Sequence, residues 1–195
     1  MASAVGLLLL SPSLAVIALS IKLSSRGPIF YRGVRIGMHG KPFRIFKFRT
    51  MVVDAESLGA SSTAADDPRI TSVGSALRRY KLDELPQLLN VLFGDMSLVG
   101  PRPQVAWAVA AYNDEQRQLL QVRPGITDYA SIRFRNEAEI LRGSDNPDQT
   151  YLERIAPEKI RLGLEYVHHH SLWIDLCILF RTISSLFRPA SEVRS

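Results

Sequence analysis

No acidic side chain occurs before Asp54, and no charged side chain of either sign before Lys22. Met1 to Ile21 is therefore free of ion pairs and rich in Leu, Ala, Val and Ile. A secretory leader would carry a basic stretch ahead of its apolar run, and Met1-Ala2-Ser3 offers none. The single cysteine, Cys177, excludes an internal disulfide and fits a reducing compartment; its apolar neighbours point to packing rather than nucleophilic chemistry. There is no glycine-rich nucleotide loop, no Walker-type lysine and no internal repeat, which removes P-loop, dinucleotide-binding and solenoid readings. His168-His169-His170 is a consecutive run without metal-ligand spacing, and reads as a solvated turn.

What remains is a 195-residue chain with 46% hydrophobic side chains, enough for one core plus a membrane element. As one helix, Met1 to Ile21 would be roughly 30 Å long, just enough to span a bilayer. Ser11-Pro12-Ser13 interrupts its middle, where proline removes a backbone hydrogen bond that a serine hydroxyl can replace. A kinked or re-entrant helix, a straight span and a buried core helix are the three arrangements open to it. Lys22, Arg26, Arg32, Arg35, Lys41, Arg44, Lys47 and Arg49 then concentrate the net charge of +5 in one block. Beside an apolar segment, that block suits anionic headgroups on the cytoplasmic side better than a nucleic acid. Within it, Gly27 to Tyr31 and Pro42 to Phe48 read as short strands of a hairpin turning at Gly37 to Gly40. Ser57 to Asp67 is small and polar and reads as a mobile loop.

Lys81-Leu82-Asp83-Glu84-Leu85-Pro86-Gln87 places adjacent carboxylates near Arg78 and Arg79. Leu77, Leu82, Leu85, Leu88, Leu89 and Leu92 recur at helical steps, with the two acids at the border of that face. Pro86 predicts a helix restarting around Asp83. A salt-bridged surface turn and a reactive carboxylate pair both satisfy the dipeptide. Arg102, stiffened between Pro101 and Pro103, is suited to clamping a phosphate. Downstream, the pattern predicts a helix over Gln104 to Leu120, a strand-like run over Tyr129 to Phe134, a helix over Tyr151 to Tyr166, and an apolar helix from Leu172 to Phe187. That last helix fits either the membrane interface or the core.

Gly27-Pro28-Ile29-Phe30, Phe46-Lys47-Phe48-Arg49-Thr50-Met51, Asp67-Pro68-Arg69-Ile70-Thr71, Leu82-Asp83-Glu84-Leu85-Pro86-Gln87-Leu88, Gly94 to Pro103 and Arg123-Pro124-Gly125-Ile126-Thr127 form an ordered set. In that order they resemble the blocks of the bacterial sugar transferase family, the monotopic phosphoglycosyl transferases that begin lipid-linked glycan assembly. The resemblance runs from about Ser11 to the C-terminal helix. It implies a re-entrant membrane helix broken at Ser11-Pro12, Asp83 as nucleophile, Glu84 as its partner, and Mg²⁺ held at Asp83 and Glu84. It further implies attack on the β-phosphorus of a UDP-sugar, release of UMP, and transfer of the sugar phosphate to undecaprenyl phosphate. Arg78, Arg79, Arg102, Lys47, Arg49 and Arg123 are the candidate phosphate-binding cations. Two departures stand out. After Thr127 the commoner form continues Gly-Trp-Ala-Gln, whereas this chain has Asp128-Tyr129-Ala130-Ser131, and Met1 begins almost inside the apolar helix, where the family usually has a basic and aromatic stretch first.

The expectation is thus a helix-rich α+β single domain, with residues 1–23 a re-entrant membrane helix and 24–195 a cytoplasmic phosphoglycosyl transferase unit that includes interfacial amphipathic helices. Its location would be the bacterial inner membrane, its partners a UDP-sugar, undecaprenyl phosphate and membrane lipids, with no nucleic acid and a homodimer left open. The rival classes are an idle membrane scaffold of a glycan pathway, a nucleic-acid-binding module, and an ordinary glycosyltransferase that would release UDP.

Overall fold

Pro12 lies inside the first helix without ending it. The computed structural model describes residues 2–186, and α1 occupies Ala2–Ser24. Pro12 has no N–H for the Leu8 carbonyl, and Ser11 Oγ donates to that carbonyl at 2.8 Å. One face of α1 packs inward: Leu14, Ile17, Ala18 and the buried Ile21 meet Phe48, Leu77 and Val73. The other face, with Leu8, Leu9, Val16, Leu19 and Leu23, is exposed. Over its most apolar 18-residue window only 6% is buried, which removes the core-helix reading.

The basic block folds as expected into short antiparallel pairs. Strands β1 (Phe30–Tyr31), β2 (Val34–Ile36), β3 (Pro42–Arg44) and β4 (Lys47–Phe48) pair β2 with β3 and β1 with β4. The β2–β3 hairpin turns through a 3₁₀ turn at Met38–Gly40. Alternation along β4 sends Phe48 into the α1 core and leaves Lys47 on the opposite side.

The small polar segment that follows has firm anchors, contrary to the expectation of a mobile loop. Arg69 donates to the Ala55 and Ala60 carbonyls at 2.7 and 2.8 Å, and the Asp148 carboxylate accepts from the Ser61 and Ser62 amides. Ala64 is buried against Leu141 and Ile155.

Helix α2 (Ser72–Arg79) starts at Thr71, whose Oγ1 accepts from Gly74 N at 3.0 Å. Its first turn lies on the backbone of Thr50: a Cβ at Gly74 would sit 2.0 Å from the Thr50 carbonyl oxygen. The chain then reverses at Lys81, which takes the left-handed conformation (φ 57°). Leu82–Glu84 form a 3₁₀ turn, and α3 (Gln87–Phe93) begins after Pro86. The helix therefore restarts four residues beyond Asp83, because Lys81 sets the acids into a separate turn first. Helix α3 packs along α1. Gln87 and Asn90 are its fully buried side chains, while Leu92 points outward.

Strands β5 (Ser97–Val99) and β6 (Gly125–Thr127) form a parallel pair. Between them, the helix expected over Gln104 to Leu120 is two pieces, α4 (Ala106–Ala110) and a 3₁₀ stretch at Gln116–Gln121. Asn113 and Gln116 make the break: each side chain bonds the other's amide, at 2.9 and 3.2 Å, which is a capping box that starts a new helical segment.

The run expected as strand-like is a helix, α5 (Tyr129–Arg133), because Asp128 Oδ1 caps it by accepting from Ser131 N at 2.6 Å. Short α6 (Glu137–Ile140) and α7 (Pro147–Arg154) lead into α8 (Ala156–His169) and α9 (Leu172–Leu186). His168 to His170 end α8 in an exposed position, as expected. On α9, Ile178 is buried with Ile174 and Leu179 against Val99 and Tyr166, while Leu172, Trp173, Leu176, Phe180 and Ile183 face outward. Phe187 lies outside the described residues. The whole is helix-rich, with three two-stranded sheets among the described residues.

Candidate active site

Three elements bring four charged side chains together. Lys47 arrives on β4, Asp83 and Glu84 on the 3₁₀ turn, and Arg102 on the proline-stiffened segment after β5. Lys47 Nζ stands 3.2 Å from Asp83 Oδ2 and 3.1 Å from Glu84 Oε1. Arg102 grips Glu84 with both arms, Nη1 to Oε2 at 3.0 Å and Nη2 to Oε1 at 2.6 Å. Such a fork-to-carboxylate pair is shorter and more directional than a single bond.

The two carboxylates are consequently unlike. Burial alone would push the Glu84 carboxyl up, but Arg102 and Lys47 outweigh it and hold it well below the usual carboxylate range. Glu84 raises the Arg102 guanidinium in return, with Glu137 and Asp128 adding to the effect. Asp83 is only 4% exposed, and its Oδ1 has no hydrogen-bond partner within the protein. An anionic oxygen buried without a donor is costly unless a ligand, water or cation completes it.

Around this pair the structure disposes the other expected cations differently. Arg49 is buried and donates to the carbonyls of Pro28, Arg26 and Ser25 at 2.7, 2.6 and 3.0 Å, fastening the chain as it leaves α1. Arg78 and Arg79 occupy the last turn of α2. The Arg79 guanidinium lies 5.8 Å from the Tyr80 ring centroid, and Arg78 acts electrostatically on Asp67. Arg123 is exposed just ahead of β6. Among the described residues, Lys47 and Arg102 are thus the two candidate cations that bond the carboxylates.

Two residues not expected from the sequence shape the site. Asn90 is fully buried; its Oδ1 accepts from Phe46 N at 2.8 Å and its Nδ2 donates to the Arg44 carbonyl at 3.0 Å, which fixes the segment that delivers Lys47. Gln87 is fully buried with both polar side-chain atoms unpartnered, one turn beyond Asp83. Periodicity gives no signal for either, because both lie on the side of α3 opposite Leu88, Leu89 and Leu92.

For a divalent cation, no group of three or more His, Cys, Asp or Glu among the described residues forms a cage. Mg²⁺ is commonly held by one or two carboxylates plus substrate phosphates instead, and an orphaned Asp83 oxygen beside Glu84 fits that mode.

Beside the carboxylates, Arg102 also lines a cavity of about 300 Å³, walled by α4, α5, α7 and α8. Trp107, Tyr112, Asp128, Ser131 and Tyr151 face it.

The family described as bacterial sugar transferase matches residues 1–189. The UDP-glucose:undecaprenyl-phosphate glucose-1-phosphate transferase of Escherichia coli (strain K12) is 42% identical over 185 residues, covering 91% of this chain and 36% of the relative. A protein of the same description from Caulobacter vibrioides is 41% identical over 181 residues, 91% of this chain and 64% of its own length. The UDP-N-acetylgalactosamine-undecaprenyl-phosphate N-acetylgalactosaminephosphotransferase of Aeromonas hydrophila is 36% identical over 189 residues, 95% of this chain and 42% of the relative. The chain therefore spans less than two thirds of the length of each of these relatives. With its match along nearly the full sequence and identities near 40%, the chain belongs to the bacterial sugar transferase family.

Proposed function

We propose that the protein transfers a sugar-1-phosphate from a UDP-sugar to undecaprenyl phosphate, releasing UMP, through a covalent intermediate on Asp83. Family membership supports the reaction class. The observation that carries the residue assignment is the inequality of the two carboxylates: Glu84 is neutralised by Arg102 and Lys47, whereas Asp83 keeps a buried oxygen with no partner.

In the first half-reaction an Asp83 carboxylate oxygen attacks the β-phosphorus, and the bond from that phosphorus to the oxygen bridging the two phosphates breaks. UMP leaves with the bridging oxygen and its electron pair. In the second, a phosphate oxygen of undecaprenyl phosphate attacks the same phosphorus and Asp83 departs as carboxylate. Splitting one displacement into two suits substrates that arrive in turn from water and from lipid. A carboxylate nearing a diphosphate meets like charge, and Lys47 and Arg102 offset it at the reacting centre. Glu84 serves to hold both cations in place. Asp83 and Glu84 would hold Mg²⁺, which supplies further charge neutralisation on the diphosphate when bound.

α1 is read here as a re-entrant membrane helix bent at Ser11-Pro12, with residues 24–195 on the cytoplasmic face of the bacterial inner membrane. The exposed apolar face of α9 is read as lying in the membrane interface. The deciding experiment supplies the reconstituted chain with undecaprenyl phosphate, Mg²⁺ and a UDP-sugar panel, and compares it with Asp83→Asn. UMP from the wild type that disappears in the variant is expected. Release of UDP would identify an ordinary glycosyltransferase, and no nucleotide release from a folded wild type would sink the proposal.

A further inference from the structure

The cavity beside Arg102 has a wall unlike the carboxylate site. Its cations are Arg102, engaged by Glu84, and Lys159, paired with Glu137. Its remaining polar groups include the Asp128 carboxylate, Ser131 and Gln104, and its aromatic groups are Trp107, Tyr112 and Tyr151. Burial pushes the Tyr112 phenol up to about 12 and raises that of Tyr151 as well, so both remain protonated hydrogen-bonding groups at neutral pH.

A carboxylate with no free cation nearby repels a phosphate. It does accept hydrogen bonds from hydroxyls, and an indole or phenol ring offers an apolar face to a sugar ring. The size agrees: about 300 Å³ is the low end for a ligand pocket, suited to one ring and not to a whole nucleotide sugar. Position agrees too. In both half-reactions the sugar hangs by one oxygen from the phosphorus at Asp83, and Arg102 is shared by the carboxylate pair and the cavity wall. UMP leaves after the first step, so the group that must be held throughout is the sugar. Asp128 and Ser131 are, in addition, two of the positions at which this sequence departs from the commoner form of its family.

We propose that this cavity seats the transferred hexose ring, with Asp128 accepting from its hydroxyls and Trp107 forming its platform, so that these residues set which sugar is taken. This rests on the phosphoglycosyl-transfer reading above. Asp128 also caps α5, and Asn caps a helix about as well, so Asp128→Asn changes the charge while keeping the fold.

The test measures equilibrium binding of UDP and of UDP-glucose, UDP-galactose, UDP-N-acetylglucosamine and UDP-N-acetylgalactosamine to the reconstituted wild type, Asp128→Asn and Trp107→Ala. UMP release from each sugar is followed in parallel. Both variants are expected to weaken the best-bound UDP-sugar by about tenfold or more, as when a site loses a partner for a substrate hydroxyl, while UDP stays within about twofold. The order of preference among the sugars is expected to change in Asp128→Asn. Equal weakening of UDP and UDP-sugar would overturn the proposal by assigning the cavity to the nucleotide, and so would unchanged UDP-sugar binding in both variants or no UDP-sugar binding by the wild type. Absence of UMP with binding ratios intact would overturn the reaction instead and leave the sugar pocket standing.

Discussion

Arg102 takes both oxygens of Glu84, at 2.6 and 3.0 Å, and makes no hydrogen bond to the adjacent Asp83. One carboxylate of the pair is therefore a fixed counter-ion, and the other, proposed above as the nucleophile, keeps an oxygen without a partner. Lysine cannot reproduce the planar fork that makes this contact. Arg102→Lys is expected to lower the rate of UMP release by on the order of 10²-fold, the usual cost of losing one well-placed electrostatic donor. Asp83→Asn should fall to background. A rate for Arg102→Lys within a few-fold of the wild type would mean that the fork does not position the site.

The same pairing makes a pH prediction. The Glu84 carboxyl is held below its ordinary value in the folded protein, despite burial, by Arg102 and Lys47. A depressed folded value contributes stability that is fully present above the unfolded carboxylate pKa of about 4.3 and is lost as pH falls through the folded one. Thermal melting should accordingly be little changed by Glu84 between pH 7 and about 5, then drop below about pH 4. Glu84→Gln removes that contribution, so its melting temperature starts lower and declines less steeply in acid. Parallel acid limbs for the two proteins would contradict the assignment.

The sequence alone makes much of this constellation legible. Asp83, Glu84, Lys47 and Arg102 are marked by their blocks, and the carboxylates do meet those two cations. The apolar first helix and the β1–β4 pair with its turn at Gly37 to Gly40 follow from composition and turn residues alone, whereas β2 lies outside the expected strands. The misses share a cause: local side-chain caps outweighed the average pattern. Asp128 turns an apparent strand into α5, and Asn113 with Gln116 splits one long helix into two. Arg49 is charged like the phosphate-binding candidates, yet long-range carbonyls occupy its guanidinium, and no periodicity foretells such a fold-dependent contact. Likewise Gln87 and Asn90 lie on the side of α3 opposite Leu88, Leu89 and Leu92, and it is that polar side, not the leucine side, that is fully buried.

Gly74 gives a sharp stability prediction. A methyl group there would lie 2.0 Å from the Thr50 carbonyl oxygen and 2.6 Å from its carbon, so backbone must move. Alanine normally favours a helix over glycine by about 1 kcal/mol. Here overpacking should reverse that preference, and Gly74→Ala is expected to destabilise by about 2–3 kcal/mol, seen as a lower melting temperature. Unchanged or higher melting would show that α2 can slide away from the Thr50 backbone without penalty.

Ser11 Oγ donates to the Leu8 carbonyl, the group that Pro12 cannot bond. In a membrane that bond satisfies an acceptor with no water available, so the Ser-Pro pair tolerates a bend. Replacing Pro12 by alanine restores the N–H and favours a straight helix. In a Cys177→Ser background, a cysteine placed at Ala4 should react with an impermeant thiol reagent from the cytoplasmic side in the wild type. With Pro12→Ala, reaction is expected from the opposite side in a measurable fraction of molecules. Labelling from the far side in both would mean a straight span.

Helix α9 divides cleanly between two environments. Ile178 is fully buried, whereas Leu172, Trp173, Leu176, Phe180 and Ile183 are 84%, 73%, 60%, 72% and 57% exposed and recur at helical steps. An apolar stripe of that width, left open along 15 described helical residues, fewer than a bilayer span needs, suits the boundary between headgroups and acyl chains. Trp173 at its start is a built-in depth probe, since indole favours that boundary. In a Trp107→Phe background, Trp173 fluorescence should be quenched more by lipids brominated near the carbonyl end of the acyl chain than by lipids brominated near its tip. Strong quenching from the tip would place the helix deep in the bilayer. No quenching from either would leave the stripe facing water or another protein and would remove the interfacial reading of α9.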